Sequence, residues 1–132
     1  MKSETDCIFC KIVAGLIPCS KIWENENYMA FLDIYPLRKA QTVVIPKAHL
    51  PSSIFALPDD VYVGLMDAAK KTSLLLEDKL GAERTMVVGE GLEIAHAHLK
   101  LYPRFSGEHG LVHAGGQADF DELKELHGQI TG

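Results

Sequence analysis

Three nitrogen-bearing side chains recur at every second position of the segment IAHAHLKLY, residues Ile94–Tyr102. In a β-strand, alternate side chains project from one face, so His96, His98 and Lys100 would stand in a row about 6.6–7 Å apart. Histidines at this spacing can aim both rings into one cleft and are common metal ligands. The alternative is the polar outer face of an exposed strand. The intervening side chains are apolar and suit packing under a helix: Ala95, Ala97, Leu99 and Leu101.

The pair Cys7-x-x-Cys10 is the second set of residues with chemical potential. Two thiolates at this spacing can bind one tetrahedral zinc ion, and two imidazoles would complete a closed site. A redox pair is the competing interpretation, but it asks for a strand followed by a helix, whereas Ile8 and Phe9 lie in a short N-terminal segment. The remaining cysteine, Cys19, has no partner at such a spacing and is expected to be a small buried residue.

The strands that must position these residues are predicted from apolar segments bounded by turn-forming residues. The first two are separated by Asn25-Glu26-Asn27, which predicts a hairpin. QTVVIP forms a third predicted strand, and two more are divided by a glycine-containing turn at 89–91. The predicted strands are Ser20–Glu24, Tyr28–Ile34, Gln41–Pro46, Arg84–Val88 and Ile94–Tyr102.

One long helix is predicted between the third and fourth strands. Pro58-Asp59-Asp60 resembles a helix start, and Gly81 is well placed to end the helix. A short charged helix is predicted at Asp119–His127. Strands, helix, strands and helix in this order indicate an α+β domain with a mainly antiparallel sheet of about five strands. The apolar face of the long helix is predicted from helical spacing to comprise Tyr62, Leu65, Met66, Ala69, Ser73, Leu76 and Leu80.

Composition narrows the class of protein. A chain of 132 residues with 47% hydrophobic residues predicts a single globular domain, residues 1–132. Its 13 Lys+Arg against 18 Asp+Glu give a net charge of −5, which argues against binding to bulk nucleic acid. No apolar run approaches the roughly 20 residues of a membrane span. The polar N-terminus, Met1–Asp6, does not read as a signal peptide, so a cytoplasmic location is expected.

Six segments, in order, resemble the histidine-triad (HIT) family, whose signature is His-x-His-x-His. The resemblance covers residues 7–105, whereas residues 106–132 match no family segment and are expected to form a loop and the C-terminal helix. The matching segments are CIFCKI, IP, KIWE, AFLDI, VVIPKAH and HAHLKLYPR, which begin at residues 7, 17, 21, 30, 43 and 96.

This resemblance implies a HIT-like fold, a homodimer and a small-molecule nucleotide substrate. Family members are nucleotidyl hydrolases or transferases acting on nucleoside phosphoramidates, dinucleoside polyphosphates or nucleotide sugars. The middle histidine of the signature, here His98, would attack the α-phosphorus and become a covalent nucleotidyl-histidine. A subset of the family binds a structural zinc ion, and the matching ligand positions are Cys7, Cys10, His49 and His96.

A nucleotide pocket is implied as well. Asp33 would accept hydrogen bonds from ribose hydroxyls, because one carboxylate can take two donors. The isoleucines would contact the base, although plain core packing is an equal alternative for them. The residues that match the family's nucleotide pocket are Ile8, Phe9, Ile17, Phe31, Asp33, Ile34 and Gln41.

Three features depart from the family pattern. Lys100 replaces the third signature histidine, and its ammonium could still neutralise charge on a phosphoryl oxygen. Gln41 stands where a histidine is usual; its amide could orient the nucleophile or a phosphate but cannot exchange a proton. The loop that precedes the signature is short and carries Leu92 and Glu93 at positions that usually supply amide and hydroxyl donors.

Two functions are therefore compared. The first is nucleotidyl transfer or hydrolysis at the α-phosphate of a nucleotide conjugate, with His98 as nucleophile and Lys100 as the charge-neutralising group. The second, suggested by the departures, is a non-catalytic, zinc-stabilised nucleotide-binding or regulatory module that has lost full triad chemistry.

Overall fold

The computed structural model describes residues 6–132, and the polar N-terminal residues 1–5 lie outside the described residues. Five strands, three α-helices and a short 3-10 turn at Ile54–Ala56 make up this part of the chain. None of its helices combines the length and apolar character of a transmembrane span. In chain order the elements are α1 (Ile8–Val13), β1 (Lys21–Glu24), β2 (Tyr28–Leu32), β3 (Thr42–Pro46), α2 (Asp59–Leu80), β4 (Arg84–Val88), β5 (Leu99–Arg104) and α3 (Phe120–Thr131).

The five strands form one sheet in the order β1-β2-β3-β5-β4. Every neighbouring pair in the sheet is antiparallel. Helix α2 packs across β2, β3 and β5 and also touches β4. The prediction of an α+β domain on a mainly antiparallel sheet is thus confirmed, and β1 and β4 are the two edge strands.

Side chains alternate across this sheet, so each face carries its own apolar cluster. The cluster under α2 includes Ala30, Val44, Leu99 and Leu101. The opposite face, here called the site face, carries the cluster of Phe9, Met29, Phe31, Val43 and Ile45. Lys100 pairs in register with Val43, and Tyr102 pairs with Met86, which puts this row of β5 on the site face.

Helix α2 forms where the spacing of apolar residues predicts it. Gly81 ends it in the left-handed conformation with φ of 76°, as a C-terminal glycine should. The predicted apolar face is only partly correct, since Met66 and Leu80 are 36% and 44% exposed. The side chains that α2 buries are Leu65, Ala68, Ala69, Thr72 and Leu76.

Several element boundaries differ from the prediction. Ser20, Ile34 and Gln41 lie outside β1, β2 and β3, and β5 ends at Arg104 rather than Tyr102. β5 begins at Leu99 rather than Ile94, because the Ala97 N–H donates to the Leu50 carbonyl at 2.9 Å instead of extending the ladder. Ala95 is consequently exposed and does not pack under a helix. The apolar N-terminal segment forms the unpredicted helix α1, and the C-terminal helix extends to Thr131 rather than ending at His127.

Candidate active site and metal cluster

Two cysteines and two histidines from distant parts of the chain converge on the site face. The ligand atoms of Cys7, Cys10, His49 and His96 all lie within 4.8 Å of one another. The Cys7 Sγ is 3.3 Å from Nδ1 of His96, and the Cys10 Sγ is 3.3 Å from Nδ1 of His49. Two sulfur and two nitrogen atoms at such distances match a closed tetrahedral zinc set.

Local structure holds each of these ligands in place. Cys7 caps the N-terminus of α1, where its sulfur accepts the Cys10 N–H at 3.4 Å, so one helical turn sets the distance between the two thiols. His49 follows the end of β3 by three residues. None of the three cysteines in the chain forms a disulfide.

His96 is oriented through its second ring nitrogen. Nε2 lies 2.9 Å from the Pro46 carbonyl oxygen, which can only accept, so Nε2 carries the proton and donates. Nδ1 then presents its lone pair to the two sulfurs, the state that a metal-ligating histidine requires. Burial lowers the pKa of His96, although its bond to Pro46 opposes that effect. The neutral, correctly oriented imidazole fits the metal-binding interpretation.

His98 is buried beside this cluster and is held in one tautomer. Its Nδ1 lies 2.7 Å from the His96 carbonyl oxygen and donates to it, which leaves Nε2 as the unprotonated nitrogen. Phe9 packs edge-on against the ring, with 5.2 Å between centroids. Burial lowers the pKa of His98 and the Lys100 ammonium adds to that effect, while the bond to the His96 carbonyl and the charges of Glu93 and Asp33 oppose it. At neutral pH the ring can therefore act as a nucleophile at Nε2.

A narrow cleft lies next to His98 and Lys100. The loop between β4 and β5 forms its other wall with Glu90, Leu92 and Glu93. This cleft, called the His98 cleft below, brings together the two residues predicted to be catalytic. Lys100 is half-buried in it.

Asp33 sits at the end of β2, where two donors already hold its carboxylate. The Gln41 amide donates to Oδ2 at 2.7 Å, and the Tyr35 N–H donates to Oδ1 at 2.9 Å. The oxygen of the Gln41 side chain accepts the Leu37 N–H at 2.7 Å. Gln41 therefore orients Asp33 and closes the 33–41 loop, a role different from the expected orientation of the nucleophile or a phosphate.

The Gln41 bonds give a testable stability effect. Replacing buried Gln41 with leucine deprives the Leu37 N–H and the Asp33 carboxylate of partners, so the free energy of unfolding should fall by about 1–3 kcal/mol. Urea titration followed by circular dichroism measures it. Gln117→Leu, at an exposed loop position, is the matched control and should change stability by less than about 0.5 kcal/mol. If both substitutions lowered the free energy of unfolding equally, Gln41 would not be stabilising Asp33 and the 33–41 loop.

The apolar residues of the predicted nucleotide pocket divide into two groups. Phe9 and Phe31 are buried and pack edge to face, with 5.8 Å between their ring centroids. Phe9 also contacts the ring of His98. Ile17 is half-buried. Ile8 and Ile34, in contrast, are 42% and 75% exposed, which leaves their side chains accessible to a ligand.

Sequence reasoning missed two features of the site. Tyr102 lies on the site face two residues beyond Lys100 and is buried; the alternation along β5 was a signal that could have found it. Burial raises the pKa of Tyr102, with a further contribution from the charge of Asp33. The Pro46 carbonyl that orients His96 had no signal in the sequence, because a main-chain acceptor is available at every residue.

Comparisons with known proteins agree on one family. The family model described as "Scavenger mRNA decapping enzyme C-term binding" matches residues 6–101. A HIT-like protein of Methanocaldococcus jannaschii is 38% identical, over 92% of this chain and 99% of that protein. An adenosine 5'-monophosphoramidase of Candida albicans is 34% identical, over 98% of this chain and 92% of the enzyme. The crystal structure of a Streptococcus mutans protein has a TM-score of 0.84 at 35% identity and covers 97% and 85% of the two chains.

Proposed function

Because the chain belongs to the histidine-triad (HIT) family, we propose that it is a nucleotidyl hydrolase or transferase acting at the α-phosphate of a nucleotide conjugate. The observation that carries this proposal is the fixed tautomer of His98, whose Nδ1 is engaged by the His96 carbonyl while Nε2 stays unprotonated. The name of the Candida albicans relative, an adenosine 5'-monophosphoramidase, favours a nucleoside phosphoramidate as the substrate class.

The reaction proceeds in two displacements at phosphorus. His98 Nε2 attacks the α-phosphorus, and the bond to the leaving group breaks to give a nucleotidyl-His98. Water, or an acceptor in a transferase, then attacks the same phosphorus and releases the histidine. Splitting the displacement in this way replaces one difficult step with two easier ones. The His96 carbonyl keeps the imidazole in place during both steps, because it accepts the hydrogen bond from the Nδ1–H of His98 throughout.

Lys100 takes the third position of the triad. It shares the His98 cleft, and its ammonium can neutralise the charge that builds up on the non-bridging phosphoryl oxygens. In this role Lys100 supplies positive charge where the family signature has an imidazole.

Asp33 binds the ribose in this proposal. Each of its carboxylate oxygens has one protein donor and retains a second lone pair for a hydroxyl. Exposed Ile34 lies directly beside it in sequence, and Ile8 and Ile17 supply further apolar surface for the base. Phe9 and Phe31 are buried and belong to the packed part of the proposed pocket. Gln41 contributes indirectly, through its bond to Asp33.

Zinc is the metal that suits the cluster of Cys7, Cys10, His49 and His96. Two thiols and two imidazoles are its preferred structural ligand set. The His96–Pro46 hydrogen bond supports the assignment, since metal-ligating histidines commonly donate their other N–H to a carbonyl. Bound there, zinc would tie α1 to the segment before β5 and steady the backbone that carries His98. Reduced thiols agree with the expected cytoplasmic location.

A homodimer accounts for the exposed apolar surface on the α2 side of the sheet. Phe55, Val87 and Leu92 are 89%, 47% and 86% exposed, and all three border one open groove beside edge strand β4. Groups of exposed apolar side chains next to a sheet edge are typical of protein contacts. Sedimentation equilibrium should return twice the 14.5 kDa chain mass, and a monomer at every concentration would contradict the proposal.

A panel of substrates tests the proposed activity. Adenosine 5'-phosphoramidates and dinucleoside polyphosphates are mixed with the protein, and release of nucleoside monophosphate is followed by chromatography. Turnover of at least one conjugate is expected. If none turns over and no nucleotidyl adduct forms, the enzymatic proposal fails.

The second candidate is a non-catalytic nucleotide-binding or regulatory module. It is favoured by Lys100 in place of a histidine and by Glu93 at a position where the family supplies a phosphate donor. Calorimetry with nucleoside monophosphates separates the two functions, because tight binding in the absence of any turnover is the result that this candidate requires.

A further inference from the structure

Two carboxylates line the cleft that holds the proposed nucleophile. Glu90 and Glu93 line the His98 cleft together with His98 and Lys100. Both glutamates are exposed, so solvent and ligands can reach them. In the proposed reaction Lys100 neutralises the phosphoryl oxygens, so a leaving group on the same phosphorus would come within reach of the remaining lining of the cleft. That lining carries Glu90 and Glu93, together called the glutamate wall below.

Among the described residues, no ion pair neutralises either carboxylate, so both can attract a positively charged ligand. Within residues 6–132, neither Glu90 nor Glu93 lies within ion-pair distance of a lysine, arginine or histidine. Their field reaches the neighbouring strand, where it helps burial raise the pKa of Tyr102. The glutamate wall of the His98 cleft is therefore negative, although the cleft is also lined by the Lys100 ammonium.

The backbone between these glutamates is held firmly. Gly91 has φ of 67°, and a Cβ on it would lie 2.4 Å from the Ser52 carbonyl oxygen. The Ser52 hydroxyl also donates to the Gly91 carbonyl at 2.7 Å. Because the loop is fastened at its middle residue, Glu90 and Glu93 are presented to the cleft from a fixed position.

We propose that Glu90 and Glu93 select the leaving group by charge, so that the preferred substrates are phosphoramidates of amines that carry a second, positive group. An ammonium on the departing amine would lie against the glutamate wall. A polyphosphate leaving group would meet two like charges there. This inference rests on the proposed function, and it narrows the substrate class from nucleotide conjugates in general to cationic amine conjugates.

The balance of the reaction is the same for every amine. His98 Nε2 forms a bond to phosphorus as the P–N bond breaks, and the amine leaves with the electron pair of that bond. Water then attacks the nucleotidyl-histidine, its hydroxyl staying on phosphorus, and its proton balances the one that the amine nitrogen takes up. Overall, one phosphoramidate and one water give one amine and one nucleoside monophosphate. The charge at the far end of the amine leaves this balance unchanged and affects only how well the amine fits the cleft.

A matched set of three adenosine 5'-phosphoramidates tests the proposal. Their amines have chains of similar length and differ at the far end: 1,4-diaminobutane is cationic, pentylamine is neutral and 4-aminobutyrate is anionic. All share the same nucleotide and P–N bond, so repulsion between the glutamates and the phosphoryl group is common to the set. We expect kcat/KM to rank cationic, neutral, anionic, with on the order of tenfold between the extremes, and the spread to shrink in high salt.

Charge-removing variants locate the effect. Glu90→Gln together with Glu93→Gln should bring the three substrates to within about twofold of one another. Glu26→Gln, at an exposed position in the β1–β2 turn, is the control and should keep the wild-type ranking. An unchanged ranking in the double variant, or no ranking in the wild-type protein, would overturn the proposal.

Binding measurements separate this proposal from the proposed activity. If no conjugate turns over, calorimetry on the His98→Ala variant still compares the affinities of the three conjugates. The cationic conjugate should bind most tightly, and that preference should disappear when both glutamates are neutralised. Equal affinities would contradict charge selection, whatever the catalytic result.

Discussion

Turnover should fall by at least about 10³-fold when His98 is replaced by alanine. In the proposed mechanism the imidazole forms the covalent bond to phosphorus, and the alanine variant has no group in the cleft that could replace this nucleophile. Affinity for the nucleotide should change little, because Asp33 and the apolar residues proposed to bind the nucleoside remain. Steady-state kinetics with an adenosine 5'-phosphoramidate, with calorimetry for binding, separates the two effects.

The matched control is His113→Ala, since His113 is an exposed histidine in the loop before α3. It should retain wild-type kcat and KM. Because His98 is buried, metal content and the thermal unfolding midpoint of His98→Ala must also be measured. A folded variant that keeps near wild-type turnover would remove His98 from the role of nucleophile.

Loss of one thiol from the metal cluster should lower stability strongly. Cys10 is buried, with its sulfur 3.3 Å from His49 and 3.5 Å from His96, so Cys10→Ser leaves three ligands around the site. A ligand present at 1,000 times its dissociation constant stabilises the folded state by about 4.1 kcal/mol, and most of that contribution should be lost. The zinc content measured by elemental analysis should fall from one ion per chain toward zero.

Cys19→Ser is the control for this experiment. Cys19 is half-buried against the apolar cluster on the site face that contains Phe9 and Phe31. It is not one of the four residues that converge around the proposed zinc site. This variant should keep its zinc and most of its stability. Full zinc occupancy and unchanged unfolding in Cys10→Ser would contradict the structural metal site, as would wild-type protein that binds no zinc.

The convergence of Cys7, Cys10, His49 and His96 was partly predictable because some of its signals are local. The Cys-x-x-Cys spacing is visible in four residues, and the alternation of His96 and His98 with two alanines is visible in four more. Family resemblance supplied the link to His49, 39 residues from Cys10. The four ligand atoms converge because β3 and β5 are adjacent in the sheet, which pairs these distant segments.

Two boundaries near the site were not predictable from periodicity. Alternation of polar and apolar residues from 94 to 98 is typical of a strand, yet these residues bond outside the ladder, as the Ala97–Leu50 hydrogen bond illustrates. Helix α1 has six residues, too few for a helical repeat to be distinguished from an apolar strand. In both segments, tertiary contacts decided the conformation.

The role of Gln41 could not have been obtained from spacing at all. Its partners are Asp33 and the N–H of Leu37, and both depend on how the 33–41 loop folds back. Because Gln41 stands where the family usually has a histidine, the resemblance predicts that its side chain orients the nucleophile or a phosphate. The structure instead assigns its amide to the support of Asp33, eight residues earlier in the chain.

The nucleotidyl-histidine is the most direct test of the account. The protein is mixed rapidly with an adenosine 5'-phosphoramidate, quenched in denaturant at neutral to alkaline pH, and examined by intact-mass spectrometry and peptide mapping. We predict a transient mass increase of one adenylyl group, located on His98, that appears before product accumulates and is missing in His98→Ala. Turnover without an adduct at any time, or an adduct on another residue, would contradict the account.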